Sequence, residues 1–249
     1  MAGVKFTGRI GLVIATAGLA IALYASSPVG ARTPSPNTPT IGASTTIPVP
    51  IATSSMPANP SKTATTTLFW VGEPSDRDNG FIPNDVSYWD DHWMQHFGGV
   101  DDPKKRCGFL PCAFRPKENQ FYVALPYGEY VEGSDSLKSS ARGIPWFGND
   151  ALPLLKNRWV EVSYRGKTCF GQWEDVGPFE NDDFSYVFGG SKPRNTYGEG
   201  AGLDISPALW DCLGMSDNGI TSWRFIDGND VPMGPWKDVV TASGISWGN

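Results

Sequence analysis

Residues 159–176, WVEVSYRGKTCFGQWEDV, contain two strand patterns separated by a turn and carry the strongest fold signal in the chain. The first half, WVEVSY, alternates between apolar and more polar residues, which is the period of a strand with one buried face. Gly166-Lys167 then supplies a tight turn into a second strand, so the stretch predicts a β-hairpin. By the two-residue period, the second strand places four side chains on one face: Cys169, Gly171, Trp173 and Asp175.

The chain downstream predicts a short capped helix. In residues 201–214, AGLDISPALWDCLG, Ser206 suits the N-cap, Pro207 the first turn and Gly214 the position after the last turn. Three further stretches have strand patterns: Thr67–Val71, Asn119–Pro126 and Ser222–Asp227. The sequence contains no tandem repeat and no alternating βαβ pattern, which excludes a parallel doubly wound sheet.

Three motifs in this second half carry a resemblance to a known family. They are Trp173–Phe179 (WEDVGPF), Gly202–Ser206 (GLDIS) and Leu213–Met215 (LGM). Their order and spacing over residues 158–227 resemble the double-psi β-barrel in the form found in rare-lipoprotein-A-like and expansin-like proteins. The resemblance implies a mainly β protein: a six-stranded double-psi β-barrel with short helices and long loops.

The same resemblance implies a functional site. In that family the two motif aspartates, here Asp175 and Asp204, lie along an open groove that binds polysaccharide or glycan strands. Cleaving a glycosidic bond needs a carboxylic acid to protonate the leaving oxygen, so both aspartates are candidate catalytic residues of a lytic transglycosylase or glycoside hydrolase. A structural alternative stays open, in which Asp175 caps the Gly177-Pro178 turn and Asp204 caps the helix start at Ser206.

A second, shorter resemblance involves Tyr88-Trp89-Asp90. Family-45 endoglucanases, which are also double-psi barrels, place their catalytic base at such a motif, and their acid sits at a site similar to the one around Asp204. This resemblance adds Asp90 as a candidate catalytic residue and makes Asp204, on which both resemblances converge, the preferred general acid. Alternatively, residues 88–97 form an amphipathic helical turn. Aromatic faces stack on sugar rings, which gives three candidate substrate-binding residues: Tyr88, Trp89 and Trp173.

Three segments of the chain differ in composition. Residues 1–31 combine Lys5 and Arg9 with an apolar run and a small-residue cleavage site, which predicts a signal peptide or an N-terminal anchor. Residues 32–66 are rich in Pro, Thr and Ser and predict an extended linker. The barrel domain is predicted over 67–249. The protein is therefore expected to be secreted or to lie in the periplasm or cell envelope, with membrane contact through its N-terminal segment only.

All four cysteines lie in the predicted barrel domain, and an even number in an exported chain favours disulfides. Cys107 and Cys112 bracket a short loop that a local bridge closes, which leaves Cys169 to pair with Cys212. Two other pairings of the four are open, and this one is preferred.

Charge and histidine content restrict the partners. Lys and Arg total 20 against 26 Asp and Glu, a net charge of -6, which argues against nucleic acid because phosphate binding needs a basic face. With only two histidines, His92 and His96, a metal site has little material, and we expect neither a metal nor a cofactor. The expected partner is a cell-wall glycan, and the sequence leaves the oligomeric state open.

Three functional classes remain. The first is an exported cell-envelope protein that binds and cleaves a polysaccharide or peptidoglycan strand in the barrel groove by acid/base catalysis. The second is a non-catalytic, expansin-like wall-binding module. The third is a structural or inhibitory secreted domain. The sequence alone does not decide whether the protein is an enzyme.

Overall fold

The computed structural model describes residues 61–77, 79–148 and 150–242. Its strands are β1 (Lys62–Leu68), β2 (Arg106–Cys107), β3 (Leu110–Pro111), β4 (Tyr122–Leu125), β5 (Trp159–Tyr164), β6 (Lys167–Val176), β7 (Ala201–Ile205) and β8 (Gly219–Phe225). Strands β2 and β3 form a small ribbon, and the other six close into a barrel. The predicted mainly β, six-stranded barrel is confirmed, whereas the double-psi connection of its strands stays a prediction.

The helices are short: α1 (Trp93–Phe97), α2 (Phe184–Val187), α3 (Pro207–Leu213) and two 3-10 helices at Ser139–Gly143 and Pro235–Lys237. Helix α3 is capped as the sequence predicts. The Ser206 side chain accepts a hydrogen bond from the Leu209 amide at 3.3 Å, and Gly214 ends the helix in the left-handed conformation, with a φ of 69°. Within the described ranges, no helix is both long enough and apolar enough to cross a membrane.

Strand β4 lies between β7 and β6, the strands that carry Asp204 and Asp175. Around the barrel the order is β1-β7-β4-β6-β5-β8, with β8 closing onto β1. The pairs β1/β7 and β4/β6 are parallel, and the remaining pairs are antiparallel. The predicted hairpin is the β5/β6 pair. Because β4 touches both β6 and β7, the strands that carry Asp175 and Asp204 flank the same neighbour.

Strand β4 separates two apolar clusters. Val123 and Leu125 belong to the main core inside the barrel, together with Trp173 of β6 and Ile205 of β7. Successive side chains of a strand point to opposite faces, so the other two residues of β4 face outward. They belong to a second, smaller cluster, which consists of Phe69, Val71, Trp93, Phe97, Tyr122 and Ala124.

The register of β6 corrects one prediction. Val123 pairs with Trp173 and Ala124 pairs with Asp175, so the register skips Glu174, which forms a β-bulge. Trp173 therefore points into the core, whereas Asp175 lies beside Ala124 on the outer face. The prediction that Trp173 and Asp175 share a face is wrong, because the bulge interrupts the two-residue period.

The start of the barrel also differs from the prediction. Strand β1 begins at Lys62, before the predicted domain boundary at residue 67. Its threonines are β-branched and pair with β7 on one side and β8 on the other, which favours a strand although the composition is that of a linker. The predicted signal or anchor (1–31) and the linker up to residue 60 lie outside the described residues.

Both predicted disulfides are present. Cys107–Cys112 closes the β2/β3 ribbon, and Cys169–Cys212 joins β6 to α3. Disulfides form and persist in oxidising compartments, so the pair fits an extracellular or periplasmic protein.

Candidate functional site

The two motif aspartates flank one residue of β4. Ala124 pairs with Asp175 of β6 on one side and with Asp204 of β7 on the other, and Asp204 in turn pairs with Thr67 of β1. Since paired residues of neighbouring strands share a face, all four lie on the outer face of the barrel wall. Two strand spacings separate the Cα atoms of the aspartates by roughly 9–10 Å. The structure thus brings together the two residues that the family resemblance singled out.

Asp204 is held by a neighbour on β1. The Thr67 hydroxyl donates a hydrogen bond to Oδ1 of Asp204, and Oδ2 faces Gly177, where a methyl group would lie 3.6 Å from it. Burial, together with the negative charge of Asp175, raises the pKa of Asp204 to about 7, although the Thr67 hydrogen bond favours the charged form. Asp204 can therefore hold a proton at neutral pH.

Asp175 joins the barrel to the segment before α1. Its Oδ1 accepts a hydrogen bond from the Tyr88 amide at 2.8 Å, across 87 positions of sequence. Burial raises the pKa of Asp175 to about 7, while backbone hydrogen bonds from Tyr88 and Val176 favour the charged form. Asp175 thus links β6 to the segment before α1.

A third carboxyl group, that of Glu73, interacts with Asp204, although no sequence motif predicted it. Glu73 is buried and follows β1, and Nδ2 of Asn84 donates to its Oε2 at 2.8 Å. Burial, aided by the negative charge of Asp204, raises the pKa of Glu73 to about 7. We refer to Glu73, Asp175 and Asp204 as the carboxyl cluster.

An aromatic rim lies next to this cluster and consists of Phe81, Phe179 and Tyr197. The rings of Phe179 and Tyr197 are 5.6 Å apart, and 70% of Tyr197 is exposed. A methyl group on Gly198 would lie 3.5 Å from Phe179 and 3.7 Å from Thr67, which places the rim beside the residue that binds Asp204. Exposed aromatic faces of this kind are suited to stacking on a sugar ring.

Two residues of this rim and one close to it have a strained backbone. Phe81, Phe179 and Glu199 have φ values of 64°, 58° and 60°, in the left-handed region that non-glycine residues rarely adopt. A methyl group on Gly80 would lie 3.1 Å from the Phe179 ring, so the loop that carries Phe81 packs against Phe179. Strained residues persist where the surrounding structure holds them, and they cluster at functional sites. The strain supports assigning function to this face.

Asp90 contacts His92 and His96 and not the carboxyl cluster. Its Oδ2 lies 2.6 Å from Nδ1 of His96, and its Oδ1 accepts a hydrogen bond from the His92 amide at 2.8 Å. Its charge raises the pKa values of the buried Glu118 and Glu174, which adds to the larger effect of their burial. Within the described ranges, no hydrogen bond or ion pair joins Asp90 to Asp175 or Asp204. The structure thus pairs Asp90 with His96 and does not bring it into the carboxyl cluster.

The predicted substrate-binding aromatic residues divide into two groups. Trp173 is fully buried in the core, and the buried Trp89 packs edge-on against it and donates from Nε1 to Glu129 at 3.0 Å. Both rings are buried in the core, so nothing in this structure supports the substrate contact predicted for them, which stays a prediction. Tyr88 is half-buried and stacks on Tyr130, and its predicted substrate contact stays a prediction.

The carboxyl cluster gives the protein an unusual stability profile. Each of its three groups has a folded pKa near 7, above the value of about 4 expected in the unfolded chain. The folded state then binds more protons than the unfolded state between these values, so the free energy of unfolding should fall as the pH rises from about 4 to about 7.

Thermal unfolding monitored by circular dichroism checks this profile. We expect a Tm at pH 5 above that at pH 8, and Asp204→Asn should raise the Tm at pH 8 by a few degrees, on the order expected for about 1 kcal/mol. A Tm that rises between pH 5 and pH 8, in wild type and variant alike, would show that the cluster is not protonated as described.

The comparisons with known proteins are sparse. No family model matches the chain, and neither does any curated protein. Among solved structures, the chain is similar to the Streptomyces papain inhibitor, with 18% sequence identity and a TM-score of 0.30 over 69% of this chain and 99% of that one. Similarity at this level transfers neither topology nor activity, so the double-psi family resemblance remains an expectation from the sequence motifs.

Proposed function

We propose that this exported barrel binds a polysaccharide or peptidoglycan strand across its outer face, at the carboxyl cluster and the aromatic rim. The observation that carries the proposal is the placement of Asp175 and Asp204 on either side of Ala124. A strand of sugars offers hydroxyl groups to the carboxyl groups and flat ring faces to Tyr197 and Phe179. The rare-lipoprotein-A-like and expansin-like resemblance of the motifs points to the same ligand class.

The cluster also suits acid/base chemistry on such a strand. Protonated Asp204 would donate its proton to the glycosidic oxygen while the bond between that oxygen and the anomeric carbon breaks. Asp175, as the carboxylate, would then accept a proton from the attacking water or from a hydroxyl group of the sugar itself. A pKa near 7 lets one carboxyl group keep its proton while the other is ionised.

Binding and cleavage are tested separately by incubating the protein with insoluble peptidoglycan and with insoluble β-glucans. Wild-type protein should sediment with one of these materials, and mass spectrometry of the supernatant reports any released product. Tyr197→Ala should weaken sedimentation roughly five- to tenfold, because it removes an exposed stacking face. Tyr164→Ala, in the β5/β6 hairpin, is the matched control. Equal sedimentation of the two variants, or none by wild type, argues against the proposal.

A second candidate function, a secreted inhibitory domain, is favoured by the loop between Glu73 and Asn84. Backbone hydrogen bonds close its base, from Gly72 to Asn84 at 2.8 Å and from Asn84 to Glu73 at 3.0 Å. Its tip exposes 69% of Phe81 and 49% of Ile82. A preorganised loop with apolar side chains can fill a partner's pocket at little entropic cost. Inhibition assays on cysteine and serine proteases, with Phe81→Ala as the comparison, test this role.

A further inference from the structure

The Cys107–Cys112 disulfide lies at the surface of the domain. Both cysteines are exposed, and they close the short hairpin formed by β2, β3 and the residues between them. The space around the tip of this hairpin is open, because a methyl group on Gly108 would meet no atom of the described chain within 4 Å. This disulfide is therefore accessible to a thiol in solution.

The Cys169–Cys212 disulfide provides a comparison within the same molecule. Cys169 is only 1% exposed and belongs to the main core, and Cys212 packs against that core from α3. Exposed disulfides exchange with thiols more readily than buried ones. A disulfide that closes a shorter loop also contributes less to the stability of the fold, so its opening is better tolerated. Exposure and loop length thus both single out Cys107–Cys112 as the reactive bridge.

The stretch of chain around this hairpin is positively charged. Residues 101–117 contain five Lys and Arg and two Asp, a net charge of +3 in a protein whose net charge is -6. Four of the cations are exposed: Lys104, Lys105, Arg115 and Lys117. Disulfide exchange proceeds by attack of a thiolate, and positive charge both attracts that anion and stabilises the cysteine that leaves as a thiolate. The local charge therefore favours exchange with an anionic thiol.

The hairpin has attachments to the domain other than the disulfide. The Arg106 guanidinium forms an ion pair with the fully buried Asp101, and its Nη2 donates a hydrogen bond to the Phe109 carbonyl. The Phe109 ring packs against the Phe121 ring of the main core, with the ring centroids 5.2 Å apart. These contacts hold the hairpin on the barrel when the disulfide opens. Exchange should therefore be reversible and leave the barrel folded.

We propose that Cys107–Cys112 is a site of thiol–disulfide exchange with an anionic thiol of low molecular mass. The thiolate bonds to one cysteine sulfur while the S–S bond breaks, and the other cysteine leaves as a thiolate and takes a proton from water. A second thiolate then attacks the external sulfur of this mixed disulfide and releases the first cysteine. Two external thiols are thereby oxidised to their disulfide, and the protein disulfide takes up the two electrons. The site shares no residue with the carboxyl cluster or the aromatic rim, so it is independent of the proposed glycan function.

Treatment of the folded, full-length protein with an excess of glutathione tests the proposal. Free thiols are alkylated at successive times, and peptide mapping by mass spectrometry follows each cysteine separately. Cys107 and Cys112 should react roughly tenfold faster than Cys169 and Cys212, or more, while the circular dichroism spectrum stays unchanged. In urea, where both bridges are exposed, the two rates should approach each other, which attributes the difference to the fold.

Two matched comparisons test the role of the charge. Cysteamine is the second probe, because its ammonium group cancels the charge of its thiolate, whereas the glutathione thiolate has a net negative charge. The double variant Lys104→Glu/Arg115→Glu should slow the reaction with glutathione roughly two- to tenfold at low salt, and the reaction with cysteamine much less. Lys192→Glu, at an exposed position outside this stretch, is the control and should react as wild type.

Four results would overturn the proposal. Three concern the disulfide itself: equal reaction rates of both bridges in the folded protein, resistance of Cys107–Cys112 to excess glutathione, or loss of the barrel's circular dichroism spectrum when this bridge opens. The fourth concerns the thiol: if the double variant slows glutathione and cysteamine equally, or neither, the preference for an anionic thiol is wrong.

Discussion

The Asp204→Asn variant is expected to lose cleavage of any glycan that the wild-type protein cleaves, by about 100- to 10,000-fold, which is the usual contribution of a general acid. Asparagine keeps the size of the side chain and an oxygen that accepts the Thr67 hydrogen bond, but it has no proton to give to the leaving oxygen. The fold should survive, because the replacement also removes a buried group that is costly to ionise. The rate of product release by mass spectrometry and the Tm are the two measurements.

Two other variants serve as the control and the comparison for Asp204→Asn. Asp217→Asn, at an exposed position, should cleave at the wild-type rate. Asp175→Asn should reduce activity as well, with a larger effect on stability, since two backbone amides, those of Tyr88 and Val176, donate to the Asp175 carboxyl group and an amide has only one oxygen to accept them. A confirmed activity that survives Asp204→Asn at the wild-type rate would refute the assignment of Asp204 as the acid.

Removing the Cys169–Cys212 disulfide should cost about 4 kcal/mol of the free energy of unfolding, whereas removing Cys107–Cys112 should cost about 2 kcal/mol. The difference arises because the first bridge spans 43 positions of sequence and the second only 5, and a longer loop restricts the unfolded chain more. Cys169 is also buried, so a polar replacement there adds to the loss.

Urea unfolding of the two double Cys→Ser variants measures these costs. Thiol titration of the unfolded, unreduced wild-type protein should also detect no free cysteine. An equal loss of stability in both variants, or the larger loss in Cys107/Cys112→Ser, contradicts the expected ranking.

The second half of the barrel could be predicted from the sequence, because its signals are local. The WVEVSY pattern and the turn signal at Gly166 specify the β5/β6 hairpin, although the turn is Arg165-Gly166 and the predicted turn residue Lys167 begins β6. Ser206, Pro207 and Gly214 specify both ends of α3. The first half carries weaker local signals. The threonine-rich sequence of β1 resembles a linker. It forms a strand because it pairs with β7 on one side and β8 on the other, and this pairing is not evident from the sequence.

The candidate site could be predicted only in part. The motifs identified Asp175 and Asp204, but the bulge at Glu174, which turns Asp175 to the outer face, has no glycine or other mark in the sequence. The segment that follows β1 brings Glu73 close enough to Asp204 for their charges to interact, and no spacing rule predicts such an approach. Asp90 was selected from a three-residue motif, and the structure pairs it with His96.

The most direct test of the account is the titration of the Asp204 side chain, followed by the ¹³C NMR signal of its carboxyl carbon and assigned by its loss in Asp204→Asn. We expect a midpoint near pH 7 in the wild-type protein. In Asp175→Asn the midpoint should be lower, because that variant removes the negative charge that also raises the Asp204 pKa. A wild-type midpoint near 4, the ordinary value for aspartate, would show that Asp204 is ionised at neutral pH and cannot serve as the general acid.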